Sequence, residues 1–423
     1  MKPEDFTDEK AGRLIKGPQG YWAFVPDSLP PHLSVDWDLA SLLSQADRAL
    51  SELGGLARNL PNPHLLIGLF VRREAVLSSG IEGTQASLSD LFYFEAAHFE
   101  KTPLPQKPPS DVREVANYVK ALEYALKRIK DLPLSLRLIK ELHEILLSGV
   151  RGEHWTPGEF RRSQNWIGPH GCTLMDATFV PPPPQEMMEA LGQFENFLHS
   201  PSNLPPLVRI ALAHYQFEAI HPFLDGNGRI GRLLISLLLC HEGLIDQPLL
   251  YLSAFFEHRR LNYYQRLLDV SIGGKWRQWI EFFLEGVVEQ SHDAIWRTNQ
   301  LLGLWQVYRT RLQEARSSAL LLQIVDRLFE YPVLSVPTTA RFLNVTHRSA
   351  AKLVEKLVGM GIIAEMTGRE RYRIYAAKEV IETIESSEIR NTENSAPGEK
   401  PLCCHSEESG RILPDDVRIP SFK

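Results

Sequence analysis

One stretch constrains this chain more than any other: HPFLDGNGRIGR, residues 221–232. Leu207, Ile210, Ala213 and Phe217 mark the apolar face of a helix predicted to end near Ile220. His221-Pro222 stops it, because a proline disfavours the helical region for the residue before it. Gly226-Asn227-Gly228 reads as a tight turn, and a second helix opens near Arg229. Two helices must therefore meet at a glycine corner. Such a corner presents backbone N–H groups and the positive end of a helix dipole to an anion.

The side chains around the corner extend that reading. Arg229 and Arg232 stand at i and i+3, so both guanidiniums reach one site. Asp225 is a hard oxygen ligand suited to Mg²⁺ held together with phosphates. His221 takes up a proton near neutral pH. Base, metal ligand and anion cradle within twelve residues describe a phosphoryl- or nucleotidyl-transfer site. Gly226 to Gly231 also spells G-x-G-x-x-G, but a dinucleotide fold needs a strand before it, and here a helix precedes. There is no Walker lysine. His143-Glu144 begins a zinc-protease motif that fails at Leu147.

The rest of the 423-residue chain sets the frame. Periodicity predicts helices through 36–53, from 64, over 111–130, 135–149, 185–199, 205–219, 228–242 and 259–301, after an extended, Pro-rich entry. Around a GPHG turn signal, Asn165–Val180 reads as a two-strand hairpin closed off by Pro181–Pro184. Residues 318–376 run helix, helix, helix and hairpin, the order of a winged helix. Arg348, Lys352 and Lys356 line one face of its second motif helix, and Arg369, Arg371 and Arg373 alternate along the wing. That suits DNA backbone contact; docking onto protein is the alternative. The expected divisions are an N-terminal helical extension (1–110), a core (111–305), a winged helix (306–380) and a disordered, acidic tail (381–423). Cys403-Cys404-His405 in that tail is too short a cluster for a metal site.

Lys and Arg total 46 against 52 Asp and Glu, a balance of −6 that argues against coating nucleic acid through bulk charge. No apolar run approaches the roughly 18 residues needed to span a bilayer. Four scattered cysteines make no disulfide framework, which points to a reducing, cytoplasmic setting without membrane.

Residues 221–232 resemble the Fic family signature H-x-F-x-[D/E]-G-N-G-R-x-x-R at each fixed place: His221, Phe223, Asp225, Gly226, Asn227, Gly228, Arg229 and Arg232. The resemblance extends over about residues 30–300. It implies a mainly α fold, a helical core with a β-hairpin flap. It also implies transfer of AMP from ATP to a Ser, Thr or Tyr hydroxyl of a protein, itself included. His221 would be the general base, Phe223 the loop anchor, and Asp225 the Mg²⁺ ligand. The backbone of Gly226, Asn227 and Gly228 would form the anion hole. Arg229 would contact phosphate and Arg232 the γ-phosphate. Ile230, Gly231 and Tyr263 complete the implied nucleotide-binding set, Tyr263 near the adenine. The stretch from His258 to Asn262 departs from the Asn-Arg pattern usual before that tyrosine pair.

Ser78-x-x-x-Glu82-Gly83 resembles the family's inhibitory helix. Glu82 would pair bidentately with Arg232 and deny it to the γ-phosphate. Read without the family, Ser78 and Glu82 are an i, i+4 pair and Gly83 a helix stop. In the flap, Trp166 and Ile167 either clamp an extended target segment or pack into the core. The family often forms homodimers. Three further functions stay open: removal of AMP on the same site, transfer of another phosphate-linked group, and a nucleotide-sensing DNA-binding regulator.

Overall fold

The computed structural model describes residues 1–58, 64–100, 110–169, 171–368 and 372–386. The linker at 101–109, His170, Arg369, Arg371 and residues 387–423 of the acidic tail, with Cys403, Cys404 and His405, lie outside them, whereas the first residues of the expected tail, 381–385, are helical.

Two strands come first, β1 (Gly12–Lys16) and β2 (Trp22–Pro26), paired antiparallel from Gly12↔Pro26 to Lys16↔Trp22. The entry expected to be merely extended is therefore a hairpin. Its turn uses Gly20 at φ +88°, which glycine alone adopts cheaply. Helices follow: α1 (Trp37–Arg58), α2 (His64–Ile81), α3 (Leu88–Glu100), α4 (Ser110–Arg128) and α5 (Leu136–Leu147). The Ser135 side chain caps α5 by accepting from Leu138 N–H, and Leu138, Leu142 and Leu146 bury one face of it.

Next come α6 (Pro184–His199), α7 (Pro206–Ile220), α8 (Asn227–His241), α9 (Ser253–His258), α10 (Arg260–Gly273) and α11 (Trp276–Glu314). Prolines open α6 and α7, where their missing N–H costs nothing. α8 packs against α2, α4, α5 and α7, so twelve of its fifteen residues are buried and it reads apolar nearly all round. The long α11 is broken from α10 by Gly274 and then runs unbroken through residue 305, where a division between core and winged helix was expected.

The segment between α5 and α6 does not form two full strands. Among the described residues a single antiparallel bridge, Ile167↔Phe179, pins it. Gly168 and Pro169 on one side and Pro181–Pro183 on the other deny the ladder further pairs.

The C-terminal part has the winged-helix order: α12 (Ala319–Glu330), β3 (Val333–Ser335), α13 (Val336–Leu343), α14 (His347–Gly359), β4 (Ala364–Glu365), β5 (Ile374–Ala376), then α15 (Lys378–Glu385). Its sheet runs β3-β5-β4. Ser335 and Thr338 close a capping box on α13, and Thr346 caps α14. Among the described residues, no helix is long and apolar enough to cross a membrane.

Candidate active site

α7 ends on His221, whose backbone takes left-handed angles of φ +50° and ψ 61°. Few residues other than glycine adopt these, and the following proline does not favour them. Non-local hydrogen bonds impose them. Arg161 Nε and Asn165 Nδ2 both donate to the His221 carbonyl, at 2.9 and 3.4 Å. Arg161 is 2% exposed, also donates to the Ser163 and Pro182 carbonyls, and sends its own backbone N–H to Pro222 O. Burial brings its pKa down to about 10, so it stays a cation.

The loop after His221 is closed by side chains. Asn227 accepts from Phe223 N–H and donates to Phe223 O, both at 2.8 Å, and Asn165 donates to the same carbonyl. Phe223 is fully buried and stacks on His143 with ring centroids 3.7 Å apart. His143 Nδ1 accepts from Gly158 N–H at 2.9 Å, so the ring proton is on Nε2 and is donated to Asp225 O at 3.0 Å. Burial pushes this imidazole down to about 4 and keeps it neutral. Gly226 turns the chain at φ +81°, and α8 starts at Asn227.

Beside this corner lies a cavity of about 320 Å³. His221, Asp225, Gly226, Asn227, Gly228 and Arg232 line it from the loop and α8, Ile167 and Phe179 from the flap, and Tyr263 and Tyr264 from α10. His221 Nδ1 faces its own helix's Glu218 carbonyl at 3.3 Å, which leaves Nε2 as the proton acceptor. Burial, and then the nearby Arg161 charge, lower the pKa of His221 to about 4. The ring is neutral at pH 7, as a base must be.

Glu82 reaches the corner from the end of α2. Its Oε1 lies 2.7 Å from Arg232 Nη2. A Cβ placed on Gly228 would fall 2.3 Å from that oxygen. The carboxylate thus sits over the first turn of α8, where orphan N–H groups and the helix dipole favour an anion. The contact is not the bidentate pair expected. Arg232 Nε goes instead to Ser78 Oγ, and Nη2 is shared with Ser78 O, both at 2.9 Å. Ser78 stands one turn before Glu82 and takes the second arm of the fork. Gly83 ends the segment at φ +91°.

Residues 40–127 match the Fic/DOC family N-terminal profile, and residues 133–239 match the Fic/DOC family profile. The two matches bracket the whole corner, Glu82 in the first and residues 221–232 in the second. Residues 321–377 match an HTH DNA binding domain profile. A protein adenylyltransferase Fic of Drosophila virilis is 31% identical over 192 residues, which are 44% of this chain and 36% of that protein. Its counterpart in Drosophila yakuba is also 31% identical, over 44% of this chain and 35% of that one. The chain therefore spans about a third of the length of these relatives. A Fic family protein from Desulfovibrio desulfuricans shares the fold, with TM-score 0.51 and 19% identity, covering 82% of this chain and 98% of that one.

Within the matched residues, three members of the expected nucleotide-binding set stand differently from that expectation. Arg229 is 3% exposed and bridges Glu114 and Asp225 Oδ1, each at 3.3 Å. It braces the loop from beneath and does not line the cavity. Ile230 is wholly buried in the core. Gly231 faces α7, and its carbonyl accepts from His214 Nδ1 at 3.1 Å. Tyr263 does line the cavity, but its hydroxyl donates to His214 Nε2 at 2.8 Å and its ring stacks on Phe256. In the flap, Ile167 lines the cavity, whereas Trp166 packs toward Tyr21, Ala23, Ala177 and Val180 and donates to Cys172 O.

Sequence reasoning missed Arg161, Asn165, His143 and Glu218. His143 drew notice only as a fragment of a protease motif. Arg161 stands between Phe160 and Arg162 with no spacing signal to the loop 60 residues away.

Proposed function

We propose that this chain moves AMP from ATP onto hydroxyl groups of a protein, its own chain included, and that Glu82 holds the reaction in check. One observation carries this reading: a carboxylate already occupies the anion cradle of α8 and holds Arg232. A nucleotide's phosphate has to displace it. The relatives' name, protein adenylyltransferase Fic, supports AMP as the group transferred.

In the reaction, the target hydroxyl gives its proton to Nε2 of His221 while its oxygen bonds the α-phosphorus. The bond from that phosphorus to the oxygen bridging toward the β-phosphate breaks, and pyrophosphate leaves with the bonding pair. Charge growing on the α-phosphate oxygens meets the N–H donors of Asn227 and Gly228, which need no reorganisation, whereas the Gly226 N–H expected to join them is held by Asp225 Oδ1. Arg232, once freed, holds the γ-phosphate. Arg229 acts at one remove, by holding the Asp225 carboxylate.

Mg²⁺ fits the donors present. Asp225 lines the cavity, is a hard oxygen donor with its side chain 37% exposed, and spends Oδ1 on Gly226 N–H and Arg229. No group of three metal-binding side chains exists among the described residues, and an ion brought in with a polyphosphate needs only one or two carboxylates. Asp225 would hold it, and the ion would neutralise phosphate charge. An extended target segment would dock along the flap beside Ile167. Free Cys172 and Cys240 suit a cytoplasmic setting.

Intact-mass spectrometry after incubation with ATP and Mg²⁺ tests this. Glu82→Gly gains one or more AMP masses, wild type gains far less, and the double variant with His221→Ala gains none. A folded Glu82→Gly chain that stays unlabelled refutes the reading. If wild type instead strips AMP from a modified protein, the same site runs in reverse.

A second activity is supported by α14, whose exposed face carries His347, Arg348, Lys352 and Lys356 in a segment that matches an HTH DNA binding domain. We propose DNA backbone contact there, seen as binding that weakens steeply with salt.

A further inference from the structure

Glu218 has no part in the reaction described so far, yet it lines the same cavity. It stands on α7 one turn before His221. Its Oε1 is buried with no hydrogen-bond partner. The side chain crosses α8 at Gly231, where an added Cβ would fall 2.1 Å from Oε1. Gly231 is thus a clearance for Glu218, a need unrelated to any dinucleotide motif.

The charges around Glu218 do not balance. Arg232 of α8 is the cation facing it; Glu82 from the end of α2 is a second carboxylate. Arg260 and Tyr264 of α10 and Asp225 of the loop line the same cavity, and Tyr263 of α10 and His214 and His221 of α7, also close by, are neutral. Glu82 holds a 2.7 Å hydrogen bond to Arg232, and Glu218 holds none through Oε1. Two ionised carboxylates on one guanidinium would leave a buried, uncompensated charge. Glu218 therefore keeps its proton, and burial raises its pKa to about 8. A nucleotide that displaces Glu82 brings its own negative charge and preserves that state. A neutral carboxyl in a cavity wall is a hydrogen-bond donor, and phosphate and ribose oxygens are acceptors.

We propose that Glu218 binds the substrate nucleotide, donating a hydrogen bond from its protonated carboxyl to an oxygen of the nucleotide beside Arg232. This rests on the reading of the cavity as a nucleotide site. It makes nucleotide affinity fall when Glu218 ionises, because the donor is lost and a negative charge faces the ligand.

Calorimetric titration of the full chain carrying Glu82→Gly with Mg²⁺ and an ATP analogue whose α,β-bridging oxygen is replaced by CH₂, which binds without transferring AMP, at pH about 7 and about 9, tests it. One ionisation changes affinity by at most about tenfold per pH unit. The parent variant should bind at least about fivefold more weakly at the higher pH. Adding Glu218→Gln, whose amide still donates, should leave affinity within about twofold across the same interval. Adding Glu218→Ala should cost at least about fivefold already at pH 7. Thermal unfolding checks that each chain is folded. If the Gln variant loses affinity with pH as its parent does, or the Ala variant binds as tightly, Glu218 has no such role. If the parent binds the analogue at neither pH, the nucleotide reading itself fails and this proposal falls with it.

Discussion

Three imidazoles at this site do three different jobs, and their partners decide which. His221 keeps a free Nε2 at the cavity. His143 has both nitrogens spent, on Gly158 N–H and Asp225 O, and props the loop. His214 accepts from Tyr263 and donates to Gly231 O, tying α10 to α8. Burial holds His143 at about 4 and His214 at about 3, against 6.5 when free. Between those values the unfolded chain binds protons that the folded chain refuses. Stability therefore rises with pH up to about 6.5 and is lost as pH falls from there toward 4. Denaturant unfolding at several pH values should show this slope. His143→Phe, which keeps the stack on Phe223 but neither hydrogen bond, should cost about 1–3 kcal/mol at pH 7. It should also flatten the slope, since one of the titrating groups is gone.

At the scale of elements, the corner between α7 and α8 is a turn that its own residues close. Asn227 ties back to Phe223, and Gly226 takes a conformation that costs an ordinary residue roughly 1–2 kcal/mol. Gly226→Ala should lower stability by about that amount. In the Glu82→Gly background it should reduce AMP labelling by up to about a hundredfold, because a strained turn misaims the N–H donors of Asn227 and Gly228. Labelling rates and melting temperature, measured together, separate the two effects. A variant that labels at the parent rate would show that the turn is not the cradle.

Across the whole molecule, α2 is gripped from two sides. Its far end carries Glu82; its middle packs on the winged helix and on α15. A Cβ at Gly68 would lie 2.7 Å from the Glu330 carbonyl at the end of α12. Arg72 pairs with Glu95 and stacks over Tyr331, which meets Phe92 edge-on. Arg73 reaches Asp293 of α11, and Asp293 holds Arg297, which caps α15 through Ile384 O. Backbone cannot yield as a side-chain tip can, so Gly68→Val should push α12 away from α2 and loosen the seat of Glu82. Expected is several-fold more self-labelling than wild type, with no added gain once Glu82→Gly is present. Equal labelling in a folded Gly68→Val chain would show that the winged helix does not brace the inhibited state.

Much of this was legible in the residue string. The break at Pro222, the glycine turn, the helix behind it and the winged-helix order are short-range chemistry, settled within a few residues by φ/ψ limits and capping. So were the elements that bring Ser78 and Glu82 to the end of one helix. Other features depended on packing. Arg161 clamping His221, the turn of Arg229 toward Glu114, the single bridge in the flap and the proton on Glu218 each join residues far apart in the chain. A buried charge has no preferred partner until the fold removes water and brings one within reach, and local pattern carries no record of which one that is.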